Sequence, residues 1–228
     1  MKIEVWSDYA CPFCYIGEKR LEKALAEVAN DNIDIEFKSF ELDPMASSEV
    51  VSDTVTRFAV KYGLSKEDAA KRIEQISLMG RREGIDFKYA TTRYTNTFDS
   101  LRLTKLAQEG GHNEIITKLF DAYFTKNLEL SNHHVLKKIA VECGLDENEV
   151  DELLKSDKYA EEVRNDEREA TTLGIHGVPY FVVGGKYGLS GAQPVEVLKQ
   201  AINEALTDEV ETELNGMTCG ADGCHFEG

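Results

Sequence analysis

The sequence predicts an α/β fold interrupted by a large all-helical insertion, and three observations carry that reading. Residues 2–38 run from a short apolar stretch through an amphipathic helical pattern to an alternating apolar–charged stretch, which is a β-α-β unit. From about Ser47 to Lys155 the apolar residues recur with a helical period and no convincing strand appears. After Pro179 the pattern returns to β, with a hairpin and a closing helix.

Each element has a local reason. Ile3, Val5 and Trp6 make residues 2–7 a buried strand. A helix begins near Pro12, whose missing N–H suits a first turn, and it presents Gly17, Leu21, Leu25 and Val28 on one face. Asn32 to Lys38 alternates as a half-buried strand. In the helical block, Val51, Val55, Phe58, Ala59 and Tyr62 form a face stopping at Gly63. Ser65-Lys66-Glu67-Asp68 starts the next helix, and Phe98, Leu101 and Leu106 mark one that ends at Gly110-Gly111. A further face carries Leu119, Phe120 and Tyr123; Ser131 then starts a helix reaching Cys143, and Asp146 caps a short one. A charged helix spans Ser156 to Leu173, Pro179 to Val183 and Lys186 to Leu189 form a hairpin about Gly184-Gly185, and Pro194 starts the last helix. Without residues 47–155 the order is β-α-β-α-β-β-α, the thioredoxin order. The expected units are residues 1–46 with 156–207, the helical insertion 47–155, and a flexible cysteine-containing tail 208–228.

Composition narrows the function classes. The 228 residues are 42% hydrophobic, enough for a sizeable core, and 26 Lys+Arg against 42 Asp+Glu give a net charge of −16. That charge disfavours nucleic acid and anionic membrane surfaces. No membrane span or signal-peptide pattern is read, so the expected location is the cytoplasm. Five cysteines, Cys11, Cys14, Cys143, Cys219 and Cys224, are too few and too uneven for a secreted disulfide scaffold. Close pairs in such a chain point to redox or metal chemistry.

Cys11-Pro12-Phe13-Cys14 lies between the first strand and its helix. This spacing brings two sulfurs within disulfide range and sets Cys11 at the helix N-terminus, where free N–H groups favour a thiolate. Cys11 is then the nucleophile and Cys14 the resolving thiol. Read alone, the pair also fits two buried thiols or half of a zinc site. A second motif, Gly177-Val178-Pro179-Tyr180, adds a strand-starting proline that this topology would place beside the thiols as a cis peptide.

Ser7 to Gly17, Gly174 to Phe181 and Ser190-Gly191-Ala192-Gln193-Pro194 together resemble the DsbA-family thioredoxin-like proteins, most closely the FrnE-type cytosolic branch. The likeness covers residues 1 to about 207. It implies a thiol–disulfide oxidoreductase or isomerase acting on disulfide-containing polypeptides, with Cys11, Cys14 and Pro179 catalytic, Val178-Pro179 lying against the substrate strand, and no cofactor or metal. Pro-Phe between the cysteines departs from the Pro-His of the periplasmic oxidase, so the pair is expected to be less oxidising. The alternative is a glutathione-dependent isomerase or transferase of the 2-hydroxychromene-2-carboxylate isomerase or kappa type, families that usually carry serine near the Cys11 position. Glutathione is thus a second candidate partner. A non-catalytic chaperone cleft is a third reading, and a homodimer is admitted.

Substrate contacts are expected from Pro12, Phe13, Val178, Tyr180 and Asn96, with Tyr9, Phe13 and Tyr180 forming an apolar rim. Asn96 also reads as a helix cap. Glu36 and Lys38 are candidates for relaying protons to Cys14, against the plainer reading of solvated strand charges. Cys219 and Cys224 form a C-x4-C pair read as an auxiliary redox pair, as inert tail thiols, or with His225 as a metal site. Cys143 reads as a core residue and His133-His134 as surface residues.

Overall fold

In the computed structural model, β1 (Lys2–Ser7) leads through Cys11 into α1 (Pro12–Val28) and returns as β2 (Asp34–Ser39). The structure describes residues 1–30, 32–215, 217–220 and 223–226, with side chains described as far as residue 209. β1 and β2 are parallel, with Lys2 beside Asp34 and Ser7 beside Ser39. On its other edge β1 pairs antiparallel with β3 (Tyr180–Val183), which pairs antiparallel with β4 (Tyr187–Ser190), giving the order β2-β1-β3-β4.

Alternation along the strands separates two faces. Ile3, Val5, Phe181 and Val183 pack with Leu21 and Ala24 of α1 and with Leu198, Ala201 and Ile202 of α9 (Val195–Asn215). Trp6 turns to the opposite face, where it meets Ala170 of α8 (Ala160–Thr172) and donates its indole N–H to Asp166 O at 3.0 Å. A thioredoxin-like sheet is thereby sandwiched between helices.

Between β2 and α8 lie α2 (Thr54–Tyr62), α3 (Lys66–Arg82), α4 (Phe98–Glu109), α5 (Ile115–Phe124), α6 (His133–Glu142) and α7 (Glu147–Leu154), with no strand among them. Their caps follow the sequence. Asp53 accepts from Thr56 N at 2.8 Å, Ser65 accepts from Asp68 N at 3.1 Å, and Gly63 closes α2 at φ 63°. The block's core of Ile73, Leu101, Leu119, Phe120, Tyr123 and Leu136 is continuous with Cys11, Cys14, Tyr15 and Ile16. The first turn of α1 is therefore built into the helical block rather than into the sheet's own core.

Several boundaries differ from the sequence reading. Val51 precedes α2 and is exposed, because Asp53 sets the cap two residues later. Ser131 gives its hydroxyl to Ser48 O, leaving Asn132 to cap α6. The charged helix starts at Ala160, since Tyr159 sits at φ 63°, which a right-handed helix excludes. The last helix continues through Thr207 to Asn215, a stretch with no Gly or Pro to stop it. Beyond it β5 (Met217–Gly220) and β6 (Gly223–Phe226) pair with Cys219 opposite Cys224. The side chains of that pair, and with them its auxiliary redox role, lie outside the described residues. Among the described residues no helix is long and apolar enough to cross a membrane.

Candidate functional site

The loop between β1 and α1 is held by one buried carboxylate. Asp8 accepts from Ala10 N (3.1 Å), Leu42 N (2.7 Å) and Thr97 Oγ1 (2.8 Å), so it joins this loop to the strand exit after β2 and to the start of α4. Burial raises its pKa, and those three hydrogen bonds oppose the rise. The Asp8 carbonyl takes Cys11 N–H at 3.0 Å, which tightens the turn into the helix.

Cys11 occupies the N-cap of α1 in an extended conformation (φ −88°, ψ 114°), and its side chain makes no capping bond. Pro12 follows at the first helical position, and no acidic residue occupies the first turn to offset the helix's positive end. The Cys11 Sγ–H donates across the site to Val178 O at 3.4 Å, and the Val178–Pro179 peptide is cis. Gly17, one turn further along α1, admits that loop: a Cβ there would come within 3.1 Å of Pro179 Cγ. Both Cys11 and Cys14 are free thiols, 4% and 2% exposed, which places Cys11 deeper than its position at a helix start suggests.

The two sulfurs face different spaces. Cys11 lines a groove of about 590 Å³ with Pro12, Phe13, Gly177 and Val178 on one side and residues of α2 and α3 on the other. Cys14 lines a second cavity of about 330 Å³ with Ser7, Phe37, Phe120 and Glu18. Burial first, then the hydrogen bond and charge of Cys11, push the Cys14 thiol well above its ordinary pKa; the Ser7 hydroxyl and the Asp8 N–H act against this. Glu18 lies one turn along α1 from Cys14. Its Oε1 accepts from Thr117, its Oε2 has no hydrogen-bond partner, and burial pushes its carboxyl up to about 7.

Of the residues singled out from sequence, Cys11, Pro12, Phe13 and Val178 meet at the groove, with Pro179 next to them. Tyr180 does not, because alternation along β3 turns it with Val182 toward Trp6. Tyr9 is no rim residue: it is fully buried, stacked on Phe37, tilted against Phe120 and bonded to Thr104. Asn96 is absent from the groove lining and acts at the entrance to α4, accepting from Phe98 N at 2.8 Å. Glu36 and Lys38 lie on the face of β2 turned from Cys14, where Lys38 meets Glu36, Asp166 and Glu169, so they are no relay to that thiol. His133 pairs with Asp99 at the surface and Cys143 is buried.

Sequence reasoning missed Asp8, Glu18 and the groove cations Arg57, Lys61 and Arg72. Glu18 carried a usable signal, since i and i+4 share a helix face. Nothing local marks the three cations, which reach the groove only through the folding of α2 and α3 over Cys11.

Comparison with known proteins agrees with this architecture. A probable DsbA oxidoreductase from Streptomyces coelicolor superposes with a TM-score of 0.87 at 39% identity, covering 100% of both chains. The cytosolic disulfide reductase DsbM from Pseudomonas aeruginosa shares the fold, with a TM-score of 0.59, 16% identity, and coverage of 94% of this chain and 100% of its own. The uncharacterized protein YwbO of Bacillus subtilis is 27% identical over 207 residues, which is 89% of this chain and 96% of that protein. The model of the DSBA-like thioredoxin domain matches residues 2–203, and the chain belongs to that family.

Proposed function

We propose that the protein is a thiol–disulfide oxidoreductase that reduces or isomerises protein disulfides through Cys11 and Cys14. The observation that carries this reading is the position of the Cys11 sulfur, at the floor of an open groove and against the cis-proline loop. Residues 1–46 and 156–207 supply the dithiol in this reading, and the helical insertion 47–155 supplies the facing wall.

The Cys11 thiolate attacks one sulfur of the substrate disulfide, and the second substrate sulfur leaves as a thiolate and takes a proton. Cys14 then loses its proton and attacks the Cys11 sulfur. This forms the Cys11–Cys14 disulfide and releases the other substrate thiol, so two electrons have passed to the substrate. Burial holds Cys14 protonated until that step, which keeps the mixed disulfide alive long enough for isomerisation. Of the three carboxylates on the same cavity, Glu18, Glu22 and Glu114, Glu18 shares the helix face of Cys14 one turn away and receives its proton in this reading.

A cytosolic setting, where most dithiols are kept reduced, favours reduction over net oxidation. The cytosolic disulfide reductase DsbM, which shares the fold, is compatible with that direction. Insulin-disulfide reduction driven by dithiothreitol tests the reading. Cys11→Ser is expected to lose at least 100-fold in rate, and Cys14→Ser to accumulate a mixed disulfide visible by mass spectrometry. Full activity in Cys11→Ser would overturn the reading. Saturable glutathione conjugation surviving Cys14→Ser would replace it with the glutathione-dependent alternative.

A further inference from the structure

The groove over Cys11 has an unusual charge. The chain carries 42 Asp+Glu, yet among the described residues none lines this groove, whereas Arg57 and Lys61 of α2 and Arg72 of α3 all do. Many cations elsewhere pair with carboxylates: Arg20 and Lys23 converge on Glu83 at 2.7 and 2.6 Å, and Lys38 meets four acids. Arg57, Lys61 and Arg72 have no ion-pair partner among the described residues. The Arg57 guanidinium lies 3.7 Å above the Tyr94 ring, and its Nε is buried with no hydrogen-bond partner. Lys61 Nζ stands 5.9 Å from the Tyr62 ring. Stacking leaves the in-plane N–H groups of a guanidinium free for a carboxylate, which is what a recognition arginine needs.

The nearest acids form no ion pair with this cluster. Asp8 is buried and accepts three hydrogen bonds, and Lys61 acts on it only through its charge. Asp43 takes the Tyr94 hydroxyl at 3.2 Å and lines an adjoining depression together with Arg57 and Lys61, without an ion pair to either and outside the groove that Cys11 lines. The three cations line the same groove as Cys11.

We propose that this groove selects disulfides carried on acidic polypeptide segments, with Arg57, Lys61 and Arg72 receiving Asp or Glu side chains that flank the cystine while its sulfur meets Cys11; this rests on the oxidoreductase reading above. A polypeptide is the occupant because the groove, at about 590 Å³, extends past Cys11 and Val178 to Gln75 and Met79 on α3, well beyond the reacting cystine. Its mixture of aromatic rings and arginine is that of protein-binding surfaces. A chain of net charge −16 repels an acidic partner at long range, so a local patch of opposite sign is what permits docking at short range.

The test compares three disulfide-linked peptides identical except for Glu, Gln or Lys on both sides of the cystine, with dithiothreitol as reductant. For wild type, kcat/KM is expected to rank Glu over Gln over Lys, at least tenfold between the ends, and the spread to shrink as salt rises from 20 to 500 mM. Lys61→Glu/Arg72→Glu, which leaves the Arg57–Tyr94 stack intact, is expected to invert the Glu-to-Lys ratio. Equal rates for the three peptides, or a Glu preference unchanged in the double variant, would overturn the proposal. So would discrimination confined to small disulfides, with glutathione disulfide preferred to cystamine while the peptides are not distinguished. Hydroxyethyl disulfide separates the two levels: wild type inactive on this neutral disulfide as well as on all three peptides would sink the oxidoreductase reading itself.

Discussion

Glu18 is a carboxyl with a raised pKa on the cavity that the Cys14 thiol also lines. Its ordinary value of 4.5 is pushed up to about 7 chiefly by burial, with Glu22 adding to the rise while the Thr117 hydrogen bond and Lys19 oppose it. Below pH 4.5 the group is protonated folded and unfolded alike; between 4.5 and about 7 the unfolded chain ionises it and the folded one does not. Stability therefore falls as pH rises through that window and levels off above it. Glu18→Gln removes the fall, so its stability advantage over wild type should grow across the window by an amount on the order of 3 kcal/mol. Urea unfolding at pH 4.5, 6 and 8 measures it, and a constant difference would show that the carboxyl titrates normally. The same variant should slow resolution of the mixed disulfide and remove a pH inflection near 7, which a purely structural role for Glu18 would leave in place.

Among the elements, α1 is decisive, because its first turn carries both cysteines and its next touches the cis-proline loop. A Cβ at Gly17 would sit 3.1 Å from Pro179 Cγ and 3.2 Å from Phe181 Cζ. Alanine would bring about 1 kcal/mol of helix propensity, but crowding of this kind costs about 1–3 kcal/mol. Gly17→Ala should thus destabilise by about 1 kcal/mol and lower insulin-reduction activity several-fold by displacing the loop from Cys11. Wild-type values for both would mean that the loop yields without consequence. The pattern of α1 was fully readable from its apolar spacing, and so were the caps at Ser65 and Asp146, whereas the cap at Asp53 was not. The starts of α6 and α8 were misplaced because side chains with tertiary partners decided them: Ser131 is drawn to Ser48, and Tyr159 takes a left-handed backbone with its hydroxyl on Glu109.

For the whole molecule, electrostatics acts differently near and far. The net charge of −16 argues against an anionic sulfur, yet charges more than about 10 Å away are largely screened at ordinary ionic strength, and the groove beside Cys11 presents cations alone. The stronger argument for a mild dithiol is local: Phe13, partly exposed at the groove, offers a bound sulfur no hydrogen-bond donor. Equilibration with glutathione should give a reduction potential below the about −120 mV of a strong periplasmic oxidase. A value that high would assign the protein to oxidation. The sequence by itself determined the thioredoxin order, the strand–helix setting of Cys11-Pro12-Phe13-Cys14 and the Val178-Pro179 motif, because each is written in local periodicity or in adjacent residues. Only the tertiary structure decided what surrounds the sulfurs. Strand alternation sent Tyr180, Glu36 and Lys38 to faces away from the thiols, and helix packing sealed Tyr9 into the core. Two helices remote in sequence brought Arg57, Lys61 and Arg72 over Cys11, an arrangement no local pattern encodes.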